Sequence, residues 1–238
     1  KVYPNSYGLL QIIKDHKFTP FSKLKVIGNG SSNGINTSLF DPALQSETEK
    51  QQLREQLGIS SQDFVFVFVG RLVGDKGINE LVSAFLKIVF QYENVKLLLV
   101  GPFEANLDPL HPETLQAIET NSNIIAAGFQ PDVKPYFAIS NVLIFPSYRE
   151  GFPNVVMQAG AMGLPCAVSD INGCNEIIIE GENGLIFPVQ DSEAVFKAMK
   201  KLLSEPEFTA KMKNKSRQMI VERYEQQKVW EAILREYE

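Results

Sequence analysis

Residues 64–70, FVFVFVG, constrain the fold more than any other stretch of the chain. Six consecutive β-branched or aromatic residues leave no polar face, so a strand made from them must be covered on both sides. Such runs belong to parallel sheets with helices on each face, whereas half-wet antiparallel strands alternate apolar and polar positions. A parallel neighbour needs a crossover, and INELVSAFLKIVFQY at 78–92 supplies one, with apolar side chains at helical spacing. KLLLV at 96–100 follows as a second buried strand, stopped by Gly101-Pro102.

The alternation continues. A helix is expected at about 112–120, a strand at 123–128 (NIIAAG), and a short helix near 132–139. Next come a strand at 141–146 (NVLIFP), a helix at 153–162, and a strand at 165–169 (PCAVS). A short helix at 173–180 and a strand at 184–188 (GLIFP) complete the series. Residues 192–238 are helical in pattern, with Pro206 as a break and Trp230 packing rather than binding. The order predicts an α/β fold: a Rossmann-like parallel sheet with helices on both faces. Right-handed crossovers bring the C-terminal ends of all strands to one edge, where ligands bind. The loops that matter are therefore 70–77, 101–111, 128–132, 145–153 and 169–174.

The first 60 residues fit this repeat less well. KLKVIGNG at 23–30 reads as a lone strand, and 41–59 as a charged helix with Asp41 as N-cap and Gly58 as its stop. Residues 1–40 are expected to be the tail of a preceding domain plus a linker, and 41–238 one domain. GNGSSNG at 28–34 is not a dinucleotide fingerprint: Asn33 stands where the third glycine is needed, and no helical pattern opens directly after it. A hinge is the better reading.

Bulk properties exclude several classes of function. The net charge of −5 argues against extended nucleic-acid binding. Cys166 and Cys174 have neither zinc-site nor C-x-x-C spacing, and read as buried reduced thiols of a reducing compartment. His16 and His111 are the only histidines, which argues against a histidine-based metal site. No stretch approaches the roughly 20 apolar residues that span a bilayer. The start, KVYPNSYG, lacks a signal peptide's apolar core and an initiator Met, so a fragment of a longer protein is expected.

Two strand-to-helix loops carry candidate chemistry. In GRLVGDKG (70–77), Arg71 and Lys76 are either two solvated cations or a diphosphate site, one a guanidinium fork and the other a point charge. In PSYREGFPN (146–154), Gly151 allows close backbone approach and Pro153 suits a first helical turn. The free amides and the dipole of that helix could hold an anion. Glu150 would repel a phosphate. It is a surface carboxylate, an acceptor for sugar hydroxyls, or a counter-charge for the two cations. Gln158 lies about one turn into the helix and faces either solvent or the cleft. Together these groups favour a sugar nucleotide.

The blocks FVFVGRLVGDKGINELVSAF, FPSYREGFPNVVMQAGAMGLPCAVSDINGCNEII and GENGLIFP, in this order, resemble the retaining nucleotide-sugar glycosyltransferases of family 4. The likeness covers roughly residues 20–238 and is to the C-terminal, donor-binding half of the two-domain GT-B fold, closest to bacterial enzymes of surface-polysaccharide assembly. It implies that Arg71 and Lys76 hold the donor diphosphate and that Glu150, the first glutamate of an E-x7-E motif, contacts the donor sugar. The backbone of Gly151, Phe152, Pro153 and Asn154 would meet sugar and phosphates, and Gly128, Phe129 and Gln130 would border the base. Gln158 departs from the motif, whose second glutamate binds ribose. Its carbonyl oxygen still accepts a hydrogen bond, at a cost of ~1 kcal/mol for the lost charge assistance.

The resemblance implies a nucleotide sugar as substrate, no cofactor or metal, and no nucleic-acid partner. Further partners would be the missing N-terminal domain and an acceptor glycan or lipid-linked sugar. The expected location is the cytoplasm, peripheral at the inner face of the membrane for the full-length protein. Without the N-terminal half, little or no turnover is expected. A GT-B sugar-nucleotide epimerase and a non-catalytic nucleotide-binding domain remain the alternatives.

Overall fold

The computed structural model describes residues 1–104, 106 and 108–238. Positions 105 and 107, in the loop 101–111 singled out above, lie outside the described residues. Six strands, β1 (Phe64–Val69), β2 (Val95–Val100), β3 (Ile124–Gly128), β4 (Val142–Phe145), β5 (Cys166–Ser169) and β6 (Gly184–Phe187), form one sheet. Their order is β3-β2-β1-β4-β5-β6, and every pairing is parallel.

β1 lies inside the sheet, in register with β2 from Phe64↔Val95 to Val69↔Val100 and with β4 at Phe66↔Val142 and Val67↔Leu143. Val65, Phe66, Val67 and Phe68 are wholly buried, as an apolar run with no polar face requires. The helices are α1 (Tyr7–Asp15), α2 (Glu47–Gln56), α3 (Ile78–Val89), α4 (Pro112–Thr120), α5 (Lys134–Ala138), α6 (Asn154–Ala161), α7 (Cys174–Ile177), α8 (Ser192–Ser204), α9 (Pro206–Tyr224) and α10 (Gln226–Leu234). α3 buries Ile78, Leu81, Val82, Phe85 and Ile88 along one stripe. It packs against α4 and α8, while α6 packs against α7 and α9. Right-handed crossovers put these two groups on opposite faces of the sheet.

The strand order has a consequence for position. From β1 the chain moves outward through β2 to β3, then returns to place β4 on the other side of β1. Loops leaving β1 and β4 therefore diverge around a crevice at the C-terminal edge, where open parallel sheets bind ligands.

Two expectations for the first 60 residues need correction. The segment 23–30 is not a strand. Leu24 makes one isolated parallel bridge to Val2, and Gly28, Gly30 and Ser31 all have positive φ. A strand needs a partner along its length, and turn conformations replace it here. The helix expected over 41–59 is split. Asp41 caps only a 3-10 turn, Pro42–Leu44, by accepting from the Ala43 amide. The chain then extends through Gln45, and Ser46 starts α2 with a capping box in which Ser46 and Glu49 satisfy each other's amides. Gly58, at φ 66, ends this stretch as expected. Pro206 begins α9. Trp230 is half exposed rather than packed away, and its indole N–H donates to Asn33 at 2.9 Å. No helix among the described residues is long and apolar enough to cross a membrane.

The capping box yields a direct test. Ser46→Ala should lower the stability of the chain by about 1 kcal/mol, read as a shifted urea midpoint with unchanged slope.

Candidate functional site

The loops after β1 and β4 are bound to each other. The Tyr148 amide donates to the Asp75 carbonyl at 2.9 Å. Gly77 (φ 70) fits closely enough under Pro146 that a Cβ there would stand 2.2 Å from the Pro146 carbonyl oxygen. Only glycine combines that conformation with that approach. The Tyr148 hydroxyl donates to Glu80 at 2.8 Å. Burial first, and Glu80 second, push the Tyr148 phenol well above its usual range, so it stays protonated and remains a donor.

This arrangement brings Lys76 to Glu150. The ammonium Nζ lies 2.6 Å from Glu150 Oε1, and both side chains are largely buried, at 15% and 20% exposure. Ser147, fully buried, donates to the same carboxylate oxygen at 3.0 Å. Of the readings open for Glu150, the structure shows a counter-charge, for Lys76 but not for Arg71. Arg71 turns the other way and pairs with Glu104 at 3.1 Å in the loop after β2. That pair is far more exposed, at 43% and 33%. Each cation thus has a carboxylate partner.

α6 opens directly after this loop. Pro153 caps it without a side-chain hydrogen bond; the Val156 amide donates to the Pro153 carbonyl at 3.2 Å, and the Asn154 and Val155 amides have no partner within the helix. Asn154 is exposed there and Gly151 is exposed just before. Phe152 is committed elsewhere, its ring packed edge-on against Tyr224 at 5.4 Å, which leaves only its backbone for a ligand. Gln158 is half buried, about 6 Å further along the helix axis. Among the described residues its side chain makes no hydrogen bond. At the edge of the sheet, Gly128 ends β3 with φ 68 and its carbonyl accepts from the Gly101 amide. Phe129 is 71% exposed, and Gln130 donates to the Ala127 carbonyl. These three stand two strands from β1, roughly 10 Å across the sheet.

Ser147, Tyr148 and Glu80 support the site, and no local pattern in the sequence assigns them that role; the one signal for Ser147 is its place directly after a buried strand. Asp108, whose carboxylate accepts from the Asp75 amide, comes from a distant loop and had none. Among the described residues, no three His, Cys, Asp or Glu side chains gather where a metal ion could sit. A separate depression of about 690 Å³ at the opposite edge is lined by Arg54, Asn141 and Lys213. Arg54 donates there to the main-chain carbonyls of Ser60, Asp63 and Ile139, which ties α2 to the segments that lead into β1 and β4.

Comparison with known proteins places this geometry. The profile of the family "Glycosyl transferases group 1" matches residues 49–219. The chain is 30% identical over 213 residues to the capsular polysaccharide biosynthesis glycosyltransferase CapM of Staphylococcus aureus, covering 89% of this chain and 54% of that protein. It is 26% identical to the UDP-Gal:alpha-D-GlcNAc-diphosphoundecaprenol alpha-1,3-galactosyltransferase of Escherichia coli, covering 76% and 46%. The chain spans about half the length of the curated relatives it matches. The fold superposes on Anabaena HepE in complex with UDP and glucose with a TM-score of 0.83, at 22% identity, covering 99% of this chain and 62% of that one. A glycosyltransferase from Rickettsia africae gives 0.86 at 21% identity, covering 100% and 62%.

The thiol beside the site is open to a chemical check. Cys174 is fully buried, and burial, followed by the nearby Glu150 charge, raises its thiol well above the usual range; burial does the same for Cys166. Both should resist a thiol-specific disulfide reagent at pH 8 in the folded chain and react together on unfolding in urea. Rapid labelling of the folded chain would contradict this packing.

Proposed function

We propose a function on one premise: the chain belongs to the glycosyl transferases group 1 family. It is the donor-binding half of a GT-B enzyme of the retaining family 4 kind, with residues 1–40 the end of its N-terminal domain and linker. The full enzyme moves a hexose-type sugar from a nucleoside diphosphate to an acceptor hydroxyl, on a glycan or lipid-linked sugar, in bacterial surface-polysaccharide synthesis. It works in the cytoplasm, peripheral to the inner face of the membrane. The names of the relatives and the UDP-glucose ligand of a structural neighbour support this reading.

The observation that carries it is the Lys76–Glu150 pair beside the uncapped start of α6. A nucleoside-diphosphate sugar presents an anion and hydroxyl donors side by side. The diphosphate takes Lys76, the α6 amides and Arg71, and the sugar hydroxyls take the carboxylate that Lys76 releases. As the bond from the anomeric carbon to the diphosphate breaks, charge grows on the leaving phosphate. Preorganised cations and amides lower the barrier because they favour that state over the ground state. This reading calls for no metal: Lys76 and the start of α6 meet the leaving group, and Arg71 joins them by leaving Glu104. Gln158 accepts a ribose hydroxyl, and Gly128 to Gln130 border the base.

Isothermal titration with UDP, GDP and their sugars tests it. Lys76→Ala and Arg71→Ala should each weaken nucleotide-sugar binding by about tenfold or more, the worth of a hydrogen bond to a charged group. No binding to an intact fold would refute the proposal. Gln158→Glu should tighten nucleotide binding by up to ~1 kcal/mol, about fivefold. Unchanged or weaker binding by that variant would exclude the ribose role.

A further inference from the structure

Helix α1 is held by its first turn. None of its residues is buried, and Tyr7 and Ile12 are exposed at 55% and 41%. Apolar packing therefore contributes little to its position. Its first amides are all engaged: Leu9 donates to the Ser6 hydroxyl, while Tyr7 and Gly8 donate to the two oxygens of Glu176 at 2.8 and 2.9 Å. A carboxylate at this position also suits the positive end of the helix dipole. Glu176 is itself rigidly set, because its carbonyl accepts from Arg223 and, at 3.0 Å, from the Tyr224 hydroxyl.

The segment fastened in this way lies over the candidate site. A Cβ on Gly8 would stand 2.2 Å from Asn172 Oδ1, so the helix start rests on the loop after β5. A Cβ on Gly151, next to Glu150, would stand 3.5 Å from the Asn5 side-chain nitrogen. The Asn5 carbonyl accepts from the Ser31 amide at 2.7 Å, and Gly30 lies against the Phe152 ring. The Asn5 side-chain nitrogen donates to the Ser32 hydroxyl at 3.4 Å, and its side-chain oxygen is buried with no partner among the described residues, a state that costs free energy.

We propose that Glu176 is a positioning residue that holds residues 5–8 as a wall against the sugar end of the donor site, with Asn5 facing the sugar. The inference rests on the nucleotide-sugar reading above. The wall meets the sugar and not the nucleotide, so it sets the preference for a sugar nucleotide over the bare diphosphate.

Two variants test it with the whole chain. Glu176→Ala removes the acceptor. Tyr7→Pro leaves Glu176 in place and removes one donor at the first helical position, which tolerates proline. Ser6, at φ −150 and ψ 154, already has the extended backbone that precedes a proline. Each variant is expected to speed hydrogen exchange at residues 8–10 of the ligand-free chain by about tenfold or more. Each should also shrink the ratio of UDP-glucose to UDP affinity while UDP affinity stays the same. Unchanged exchange in both variants would overturn the fastening. Faster exchange with an unchanged affinity ratio would overturn the positioning role. If the unaltered chain bound neither UDP nor UDP-glucose, the function it rests on would fall, and the exchange data would still report the fastening separately.

Discussion

Backbone pairing in β1 is the constraint on which everything else hangs. Val65 to Phe68 are cut off from water on both faces, so the amides and carbonyls of this strand must be paired within the sheet. β2 pairs one edge and β4 the other. β4 arrives only after the chain has passed through β3, so the direction of winding reverses at β1. The crevice that results, and the convergence there of the loops 70–77 and 145–153, follow from that reversal. The Tyr148 amide bond to Asp75 and the close fit of Gly77 under Pro146 then lock the two loops into one unit.

Charge within that unit is balanced before any ligand arrives. The Lys76–Glu150 pair is largely buried, and removing one partner of such a pair strands the other. A ligand that displaces Glu150 from Lys76 must therefore satisfy both. An isolated phosphate supplies the anion but offers the carboxylate nothing. On the function proposed above, a phosphate joined to a polyhydroxyl group supplies the anion and the donors together. The Arg71–Glu104 pair is more exposed, and pairs of that kind contribute about 0–1 kcal/mol, so it yields readily.

The strands and helices from residue 64 onward were legible in the sequence because burial dictates their pattern: β1 to β6 and α3 to α8 all fall within a few residues of expectation. Before residue 64 local signals compete. The alternating apolar residues of 23–27 look like a strand but have only Val2 beside them. Asp41 looks like the cap of a long helix, yet Ser46 and Glu49 form the better one. At the site, Arg71, Lys76, Glu150 and the glycine–proline turn could be named from sequence, since charge and turn chemistry are local properties. Ser147, Glu80 and Asp108 could not be assigned, since their roles exist only through partners far away in the chain.

Periodicity and residue type thus determined, without coordinates, that this chain builds a parallel sheet covered on both sides and that Arg71, Lys76 and Glu150 lie on loops at one edge. The tertiary structure alone decided how those charges are spent: Lys76 on Glu150, Arg71 on Glu104, and Glu176 on the first turn of α1. The reason lies in range. Hydrophobic periodicity is written along a few turns of chain. The partner of a charge is chosen by distances of a few ångströms between residues 33, 74 and 169 positions apart, which no local pattern encodes.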